Sequence, residues 1–188
     1  MISSGRLIAV NETKEAIHEA FLKLYRREPY EKMSVKELCA TTPVARTTFY
    51  SYYDNLGDLK TEIEDELVDG IRQIARDMVT SGMRSIDFTA FVQRTLDYIR
   101  DNWDYNYALL VKQPSLSYME KWKDGIKFHF RVRFPEKTNI ANYDVVSEVI
   151  ASGILSAWMK YPDSLDAGKI SGLAARVFDS IDKLLSEK

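Results

Sequence analysis

Residues 33–53, which read MSVKELCATTPVARTTFYSYY, concentrate side chains that can hydrogen-bond to nucleic acid. Arg46 carries a guanidinium that can bind guanine through two hydrogen bonds. Thr47 offers a hydroxyl and a methyl group, and Tyr50 offers a phenol that can donate to a phosphate oxygen. If one short helix directs these three side chains outward, the segment can contact base edges and the DNA backbone.

Two short helices around a tight turn are needed to present these side chains. Ser34 followed by Glu37 is a capping box, in which each side chain satisfies the other's backbone amide, and it starts the first helix. The second helix is predicted from Ala45 to Tyr52. Such a helix-turn-helix has a second helix of the size to enter the major groove, although a plain helical hairpin fits the same pattern. The side chains predicted to face the preceding helices are Val44, Thr48 in part, Phe49 and Tyr52.

Three stretches of the chain read Val-Lys-Glu-Leu-Cys, Thr-Pro-Val-Ala-Arg-Thr-Thr-Phe-Tyr-Ser-Tyr-Tyr and Asn-Leu-Gly-Asp-Leu. Together they resemble the N-terminal DNA-binding domain of TetR-family transcriptional regulators, over about residues 9–60. The resemblance implies a homodimer with an all-helical ligand-binding core and one DNA half-site reader in each subunit. The residues implied to contact double-stranded DNA are Lys36, Thr42, Ala45, Arg46, Thr47, Thr48, Tyr50, Tyr52 and Asn55.

The sequence departs from the family pattern at three positions. Pro43 stands in the turn where glycine is usual, Ala45 where Ser or Thr caps the recognition helix, and Leu56 where a lysine reaches phosphate. The main expectation is a one-component regulator that binds palindromic operator DNA as a homodimer and responds to a small-molecule effector. Ala45 and Leu56 keep an alternative open, a TetR-like ligand-sensing or protein-binding coregulator without strong independent DNA binding.

Apolar residues recur every three to four positions along most of the chain, and all five prolines fall between these periodic segments. Both observations predict an all-α protein. A change in helix length and aromatic content near residue 55 predicts a helix-turn-helix domain over 1–54 and a helical effector-binding and dimerisation domain over 55–188. About nine helices are predicted, at residues 11–27, 34–40, 45–52, 55–81, 87–101, 103–112, 115–133, 142–160 and 166–186.

Aromatic side chains are dense between residues 88 and 134. Core packing explains most of them, but bulky rings at helix crossings also leave irregular spaces, and tyrosine hydroxyls can orient a ligand within an apolar wall. We therefore expect a site for a small aromatic or amphipathic effector. The interleaved lysines and arginines fit either an acidic ligand or a solvated surface. The residues predicted to line the site are Phe91, Tyr98, Trp103, Tyr107, Tyr118 and Trp122.

The last two predicted helices carry apolar stripes wider than one domain needs to bury. Small residues within the first of them permit a close approach of two backbones. A second copy of the chain would complete a four-helix bundle, and its two-fold symmetry matches a palindromic operator. The residues predicted at this interface are Gly153, Ala157, Trp158, Leu173, Val177, Phe178 and Ile181.

Composition and motifs exclude several classes of protein. The net charge of the 188 residues is −2, far from the basic excess that would announce nucleic-acid binding by itself. The sequence lacks an apolar stretch of membrane-spanning length and a signal peptide, and Cys39 has no cysteine partner, so a cytoplasmic protein is expected. Enzyme motifs do not occur, so no catalysis and no cofactor are expected. The acidic cluster over 62–69 is interpreted as a solvated helix face and not as a metal site.

Overall fold

The structure is a computed structural model of the chain. It describes residues 4–80, 88–133, 143–161, 168–170, 172, 173, 176, 177 and 180. Within these residues every regular element is helical and no strand occurs, which confirms the predicted all-α fold. None of the helices described combines the length and the hydropathy needed to cross a membrane.

The spacing of apolar residues in the sequence predicted most of the helical elements. The α-helices are α1 (Ser4–Arg27), α2 (Val35–Ala40), α3 (Arg46–Phe49), α4 (Leu56–Thr80), α5 (Phe88–Asp101), α6 (Trp103–Tyr107), α7 (Leu116–Arg133) and α8 (Tyr143–Lys160). A 3-10 turn lies at Tyr30–Lys32, and a π-helical turn at Ala108–Lys112 follows α6 directly. The single helix predicted over 103–112 is therefore two elements. Most of the helix predicted over 166–186 lies outside the described residues.

The second helix of the predicted helix-turn-helix is shorter than the predicted 45–52, because α3 spans only Arg46–Phe49. The amide and the hydroxyl of Ser51 both donate to the carbonyl of Thr48, at 3.1 and 2.6 Å. A serine that bonds the carbonyl three residues back offers the backbone an alternative to the α-helical ladder. The periodicity of the apolar residues could not reveal this early end.

The described residues form two compact units. One contains those of Met1–Glu66 and Asp104–Pro114, and the other contains those of Leu67–Trp103 and Ser115–Lys188. The packing thus places the segment Asp104–Pro114 with the N-terminal helices, although the sequence assigned it to the effector-binding region. Helix α4 contributes residues to both units. The functional division between residues 1–54 and 55–188 stays a prediction.

The core of the first unit is made of aliphatic and aromatic side chains. Phe21 stacks on Tyr25 with 5.3 Å between the ring centroids, and Phe49 from α3 is completely buried. Burial of such side chains removes apolar surface from water and stabilises the unit. Its largest fully buried side chains are Ile17, Phe21, Leu24, Leu38, Phe49, Leu59, Leu109 and Leu110.

Gln113 joins the end of the Asp104–Pro114 segment to the end of α1. Its side-chain amide donates to the carbonyls of Tyr25 and Glu28, the latter at 2.7 Å, and its Oε1 accepts from the amide of Tyr30 at 2.9 Å. The Tyr25 hydroxyl in turn donates to the Gln113 carbonyl at 2.8 Å. One glutamine therefore satisfies carbonyls at the end of α1, where no further helical turn can do so.

In the second unit α7 and α8 pack along one another. Phe130 clusters there with Tyr143, Val146 and Ile150, and all four are buried. A separate group of aromatic rings contains Trp103, Tyr118, Trp122 and Trp158. These two clusters supply much of the apolar packing between the helices of this unit.

Close packing at Gly70 gives a stability test of the second unit. A Cβ atom at Gly70 would overlap the ring of Tyr98, whereas one at Gly125 would meet nothing within 4 Å. We expect Gly70→Ala to lower the free energy of unfolding by about 1–3 kcal/mol because Tyr98 must move. Gly125→Ala is the matched control and should raise it by about 0.5–1 kcal/mol through helix propensity. Urea unfolding measures both, and equal stabilisation by the two variants would contradict this packing.

Candidate nucleic-acid interface

Helix α2 begins at a side-chain cap that differs in one detail from the predicted capping box. Ser34 Oγ accepts from the amide of Glu37 at 3.2 Å, as expected. The Glu37 carboxylate, however, accepts from the Ser34 hydroxyl at 2.6 Å and not from the Ser34 amide. The serine therefore holds the helix start by itself, and its hydroxyl serves as donor and acceptor at once.

Helix α3, which follows the turn after α2, begins without a side-chain cap. Ala45 occupies the N-cap position in an extended conformation and offers no oxygen to the free amides of α3. Neither neighbouring threonine replaces it. The hydroxyl of Thr41 donates to the Leu38 carbonyl at 2.8 Å, and the buried hydroxyl of Thr42 has no partner among the described residues.

Burial of one ring holds α3 in place. Phe49 is fully buried, with its ring centroid 5.6 Å from that of Tyr53 and 5.5 Å from that of Tyr50, which meets it edge-on. Val44 is also buried, whereas Thr48 and Tyr52 are half-buried. The predicted inward face of the helix is confirmed.

The opposite face of α3 carries the side chains singled out from the sequence. Arg46 and Thr47 are exposed, and Tyr50 keeps 55% of its surface accessible although its ring touches Phe49. The structure thus brings a guanidinium, a hydroxyl and a phenol together on the solvent side of one short helix. Cys39, on α2, is half-buried, and this burial raises the pKa of its thiol although Arg46 opposes the change.

The remaining predicted DNA contacts lie around this helix with different roles. Lys36 is exposed on α2. Asn55 caps α4, because its Oδ1 accepts from the amides of Gly57 and Asp58 at 2.7 and 3.1 Å. Its side-chain amide donates to the Asp58 carboxylate at 3.0 Å, so Asn55 has a structural role that the sequence did not indicate. Contact of these residues with DNA stays a prediction.

A polar network behind α3 was missed by sequence reasoning. The Tyr53 hydroxyl donates to Glu62 Oε1 at 2.7 Å, and Lys14 Nζ donates to the same oxygen at 2.8 Å. His18 Nε2 lies 3.1 Å from the Tyr53 oxygen, which is free to accept because its proton is given to Glu62. The network connects Lys14 and His18 of α1, Tyr53 beyond the end of α3, and Glu62 of α4. Its members lie up to 48 positions apart, so no local pattern could reveal it.

The charge states within this network follow from burial and pairing. Burial raises the pKa of the Tyr53 phenol, and the hydrogen bond to the Glu62 carboxylate raises it further. Burial opposes ionisation of Glu62, but the hydrogen bonds from Lys14 and Tyr53 lower the pKa of its carboxyl overall. Burial also lowers the pKa of His18 against the attraction of Glu66 and Glu62. A neutral histidine and an ionised Glu62 are therefore the favoured forms.

His18, Glu62 and Glu66 also bring possible metal ligands within 4.8 Å of one another. Two observations argue against an ion there. Glu62 Oε1 already accepts from two donors, and the two carboxylates face different ring nitrogens, with Glu66 Oε2 3.7 Å from Nδ1 and Glu62 Oε1 3.5 Å from Nε2. We assign the cluster to a structural brace between α1 and α4.

The acidic cluster over 62–69 is only partly the solvated face expected from the sequence. Asp65, Glu66 and Asp69 are exposed, but Glu64 keeps only 1% of its surface accessible. Lys60 Nζ lies 3.2 Å from the Glu64 carboxylate, which compensates the buried charge. A buried carboxylate was unexpected in this cluster, because Asp and Glu are rarely buried unless they are paired with a cation.

The predicted effector residues divide between the two compact units. Phe91, Tyr98, Trp103, Tyr118 and Trp122 belong to the second unit, whereas Tyr107 lies in the segment that packs with the first. Phe91, Tyr118 and Trp122 are buried, Tyr98 is half-buried, and Trp103 is 37% exposed. Tyr107 therefore packs in a different unit from the other five residues, and contact of any of the six with an effector stays a prediction.

Trp122 lies at the centre of the aromatic group. Its ring is nearly parallel to that of Trp158, at 15° and 6.3 Å between centroids, and Tyr118 meets it edge-on. Its Nε1 is buried and has no hydrogen-bond partner among the described residues. An unsatisfied buried donor typically costs about 1–3 kcal/mol, so this group departs from ordinary core packing.

The predicted dimer residues occupy different faces of α8. Gly153 is exposed and Ala157 half-buried, whereas Trp158 is only 7% exposed because its ring packs against Trp103 and Trp122. Trp158 therefore packs within its own chain, and the role predicted for it at a dimer interface stays a prediction. Leu173 is exposed and Val177 is half-buried against the Phe130 cluster. Phe178 and Ile181 lie outside the described residues.

Two apolar side chains on α8 are exposed, which the sequence analysis did not predict. Val145 and Val149 are 62% and 58% exposed and precede Gly153 at intervals of four residues. They therefore lie along one side of the helix. They also line an open groove between α7 and α8, in which Glu148 accepts hydrogen bonds from Lys123 and Lys127 at 2.7 and 2.9 Å. These bonds lower the pKa of Glu148 to about 2.

Comparison with known proteins gives structural likenesses only. No protein-family model and no curated protein matches the sequence. A TetR transcriptional regulator from Streptococcus agalactiae 2603V is 17% identical, with a TM-score of 0.67 and a match covering 92% of this chain and 97% of that chain. A protein described as a transcriptional regulator from Pseudomonas aeruginosa PAO1 is 14% identical, with a TM-score of 0.62 and coverage of 92% and 91%. A protein described as a TetR-family regulator from Syntrophomonas wolfei str. Goettingen is 12% identical, with a TM-score of 0.61 and coverage of 92% and 95%.

The brace behind α3 can be tested by removing one hydroxyl. We expect Tyr53→Phe to lower the free energy of unfolding by about 1–2 kcal/mol, since it removes a hydrogen bond to a carboxylate that is 31% exposed. Tyr52→Phe is the matched control, because the Tyr52 hydroxyl has no partner among the described residues, and it should change stability by less than about 0.5 kcal/mol. Urea denaturation of the two variants decides the matter, and equal losses would refute a specific role of Tyr53.

Proposed function

We propose that this chain, whose fold is that of TetR-family transcriptional regulators, is a one-component regulator that binds palindromic operator DNA as a homodimer. The observation that carries the proposal is the face of α3, where Arg46, Thr47 and Tyr50 stand exposed while Phe49 holds the helix from behind. A regulator of this kind acts in the cytoplasm, without catalysis and without a cofactor. We further propose that a small-molecule effector modulates its binding to DNA.

In the proposed complex α3 enters the major groove. Arg46 binds a guanine through two hydrogen bonds, Thr47 contacts a base edge or thymine methyl, and Tyr50 donates to a phosphate. Residues around α3 contribute the remaining contacts to the DNA backbone, through the side chains of Lys36, Thr48, Tyr52 and Asn55 and through the main chain of Thr42 and Ala45. The few cations in this set imply a shallow dependence of affinity on salt.

The dimer is supported by the exposed apolar side of α8. Val145, Val149 and Gly153 lie along this side, and Leu173 adds a further exposed apolar side chain. An unpaired stripe of this kind is costly in water and is buried when a second copy packs against it through the same surface. Two α3 helices in one dimer then meet successive half-sites of a palindrome.

Effector control is supported by the aromatic group of the second unit and by the course of α4. This helix contributes residues to both compact units, so a ligand that favours one orientation of α4 can change how α3 is presented. Linkage requires that operator DNA changes the affinity for the effector by the same factor.

A coregulator without strong independent DNA binding is the second candidate. It is favoured by the missing side-chain cap at Ala45 and by Leu56 at the start of α4, where a lysine would reach phosphate. The lost cap alone is worth about 1 kcal/mol of helix stability. Such a protein would keep the fold and the effector response but would act on another regulator.

Selection from randomised duplex DNA with the purified protein separates the two candidates. Enrichment of an inverted repeat with two equal half-sites supports direct operator binding. Recovery of no repeated sequence at physiological salt would favour the coregulator.

Substitutions on α3 test the reading of DNA on the selected duplex. We expect Arg46→Ala to weaken the free energy of DNA binding by about 1–3 kcal/mol and to relax the base preference at one base pair, because a bidentate contact is lost. Tyr50→Phe should lower the affinity for every DNA sequence by a similar and smaller factor, since only a phosphate contact is lost. Arg27→Ala, at an exposed arginine ending α1, is the control and should leave affinity unchanged. Titration by fluorescence anisotropy measures all three, and an unaffected Arg46→Ala variant would remove α3 from the interface.

Charge placed on exposed apolar residues of the proposed interface tests the dimer. We expect Val149→Glu and Leu173→Glu to yield monomers at micromolar concentration, because each buries an unpaired carboxylate in the interface. Leu116→Glu is the matched control, since Leu116 is 72% exposed at the start of α7 and outside the proposed interface. Sedimentation velocity reports the masses. If Val149→Glu and Leu173→Glu both remain dimeric, the interface lies elsewhere.

A further inference from the structure

The indole N–H of Trp122 is a buried donor that the described part of the protein leaves unsatisfied. Trp122 is 8% exposed, and its Nε1 has no hydrogen-bond partner among the described residues. The rings around it are apolar: Trp158 lies nearly parallel to it, and Tyr118 meets it edge-on at 6.3 Å. Buried indole N–H groups normally find an acceptor, so this donor is placed to bind an oxygen atom supplied by a ligand.

We propose that Trp122 Nε1 anchors the effector and that the effector is a small, uncharged aromatic molecule bearing a carbonyl or ether oxygen. This inference rests on the effector response proposed above. The oxygen accepts the Trp122 hydrogen, and the aromatic body packs against the indole rings. Trp103, whose ring meets Trp158 edge-on at 5.8 Å and is 37% exposed, lies at the solvent side of the group.

A neutral acceptor fits this site better than a carboxylate. A single uncharged N–H donor cannot compensate the transfer of an anion from water into a wall of aromatic rings. Three of the cations on α7 that could attract an anion are already paired with carboxylates. Lys123 and Lys127 pair with Glu148 at 2.7 and 2.9 Å, and Arg131 lies 3.5 Å from Asp144.

The three tryptophans of the sequence all belong to this aromatic group, which makes the site directly observable. A nitrogen-15 labelled sample gives three indole N–H signals, and an acceptor bound to Trp122 moves its proton signal downfield. The probes are acetophenone, methyl benzoate, benzoate and ethylbenzene, added to the full chain without DNA. We expect acetophenone and methyl benzoate to move the Trp122 proton signal downfield, and benzoate and ethylbenzene to cause no downfield shift.

A pair of variants separates the hydrogen bond from the packing. The ratio of acetophenone affinity to ethylbenzene affinity should fall by about 3- to 10-fold in Trp122→Phe, which loses the donor and keeps an aromatic ring. Trp103→Phe is the matched control and should leave this ratio unchanged. The proposal is overturned if no oxygen-bearing probe moves the Trp122 signal, or if the affinity ratio is the same in Trp122→Phe. The signal shift needs no variant, so it decides the matter even if Trp122→Phe fails to fold.

Repeating the titrations with the selected duplex distinguishes this inference from the proposed function. Probe binding through Trp122 without any change in DNA affinity would support the site and refute its role in regulation. DNA binding without any probe at Trp122 would support the regulator and refute the anchor.

Discussion

The burial of Phe49 is the constraint on which the candidate DNA-reading surface depends. Helix α3 has four residues, and a helix of that length cannot persist alone because nucleation fixes several dihedral angles for the first hydrogen bond. Ala45 adds no cap. What keeps Arg46, Thr47 and Tyr50 together on one face is therefore the insertion of Phe49 into the core of the first unit, with Val44 buried before it.

Polar side chains far apart in sequence support that core. Glu62 collects hydrogen bonds from Lys14 and Tyr53, and so connects α1 and α4 behind the recognition turn. Gln113 satisfies backbone groups at the end of α1 and draws the Asp104–Pro114 segment into the first unit. The side-chain amide of Gln113 is used on both its donor and its acceptor side, and a polar group satisfied in this way specifies one packing.

The second unit combines a satisfied core with two departures from it. The Phe130 cluster is ordinary apolar packing between α7 and α8. The unpartnered indole of Trp122 and the exposed valines of α8 are not, because a buried donor and an exposed apolar stripe are both unfavourable in an isolated chain. Departures of this kind concentrate where a protein meets a ligand or a second subunit, and for that reason these two features carry the proposals on the effector and the dimer.

The sequence by itself determined the helical fold, the helix-turn-helix and the outward face of α3, because these depend on periodicity and caps within a few residues. The buried state of Glu64, the hydrogen bonds that Glu62 accepts and the packing of Trp158 were decided only by the tertiary structure. So was the membership of Tyr107 in the first unit. Each of these depends on partners brought close by the folded chain, such as Lys14 beside Glu62 and Trp122 beside Trp158. Local spacing records which face a residue occupies, whereas its burial and hydrogen bonding depend on what the rest of the chain places against that face.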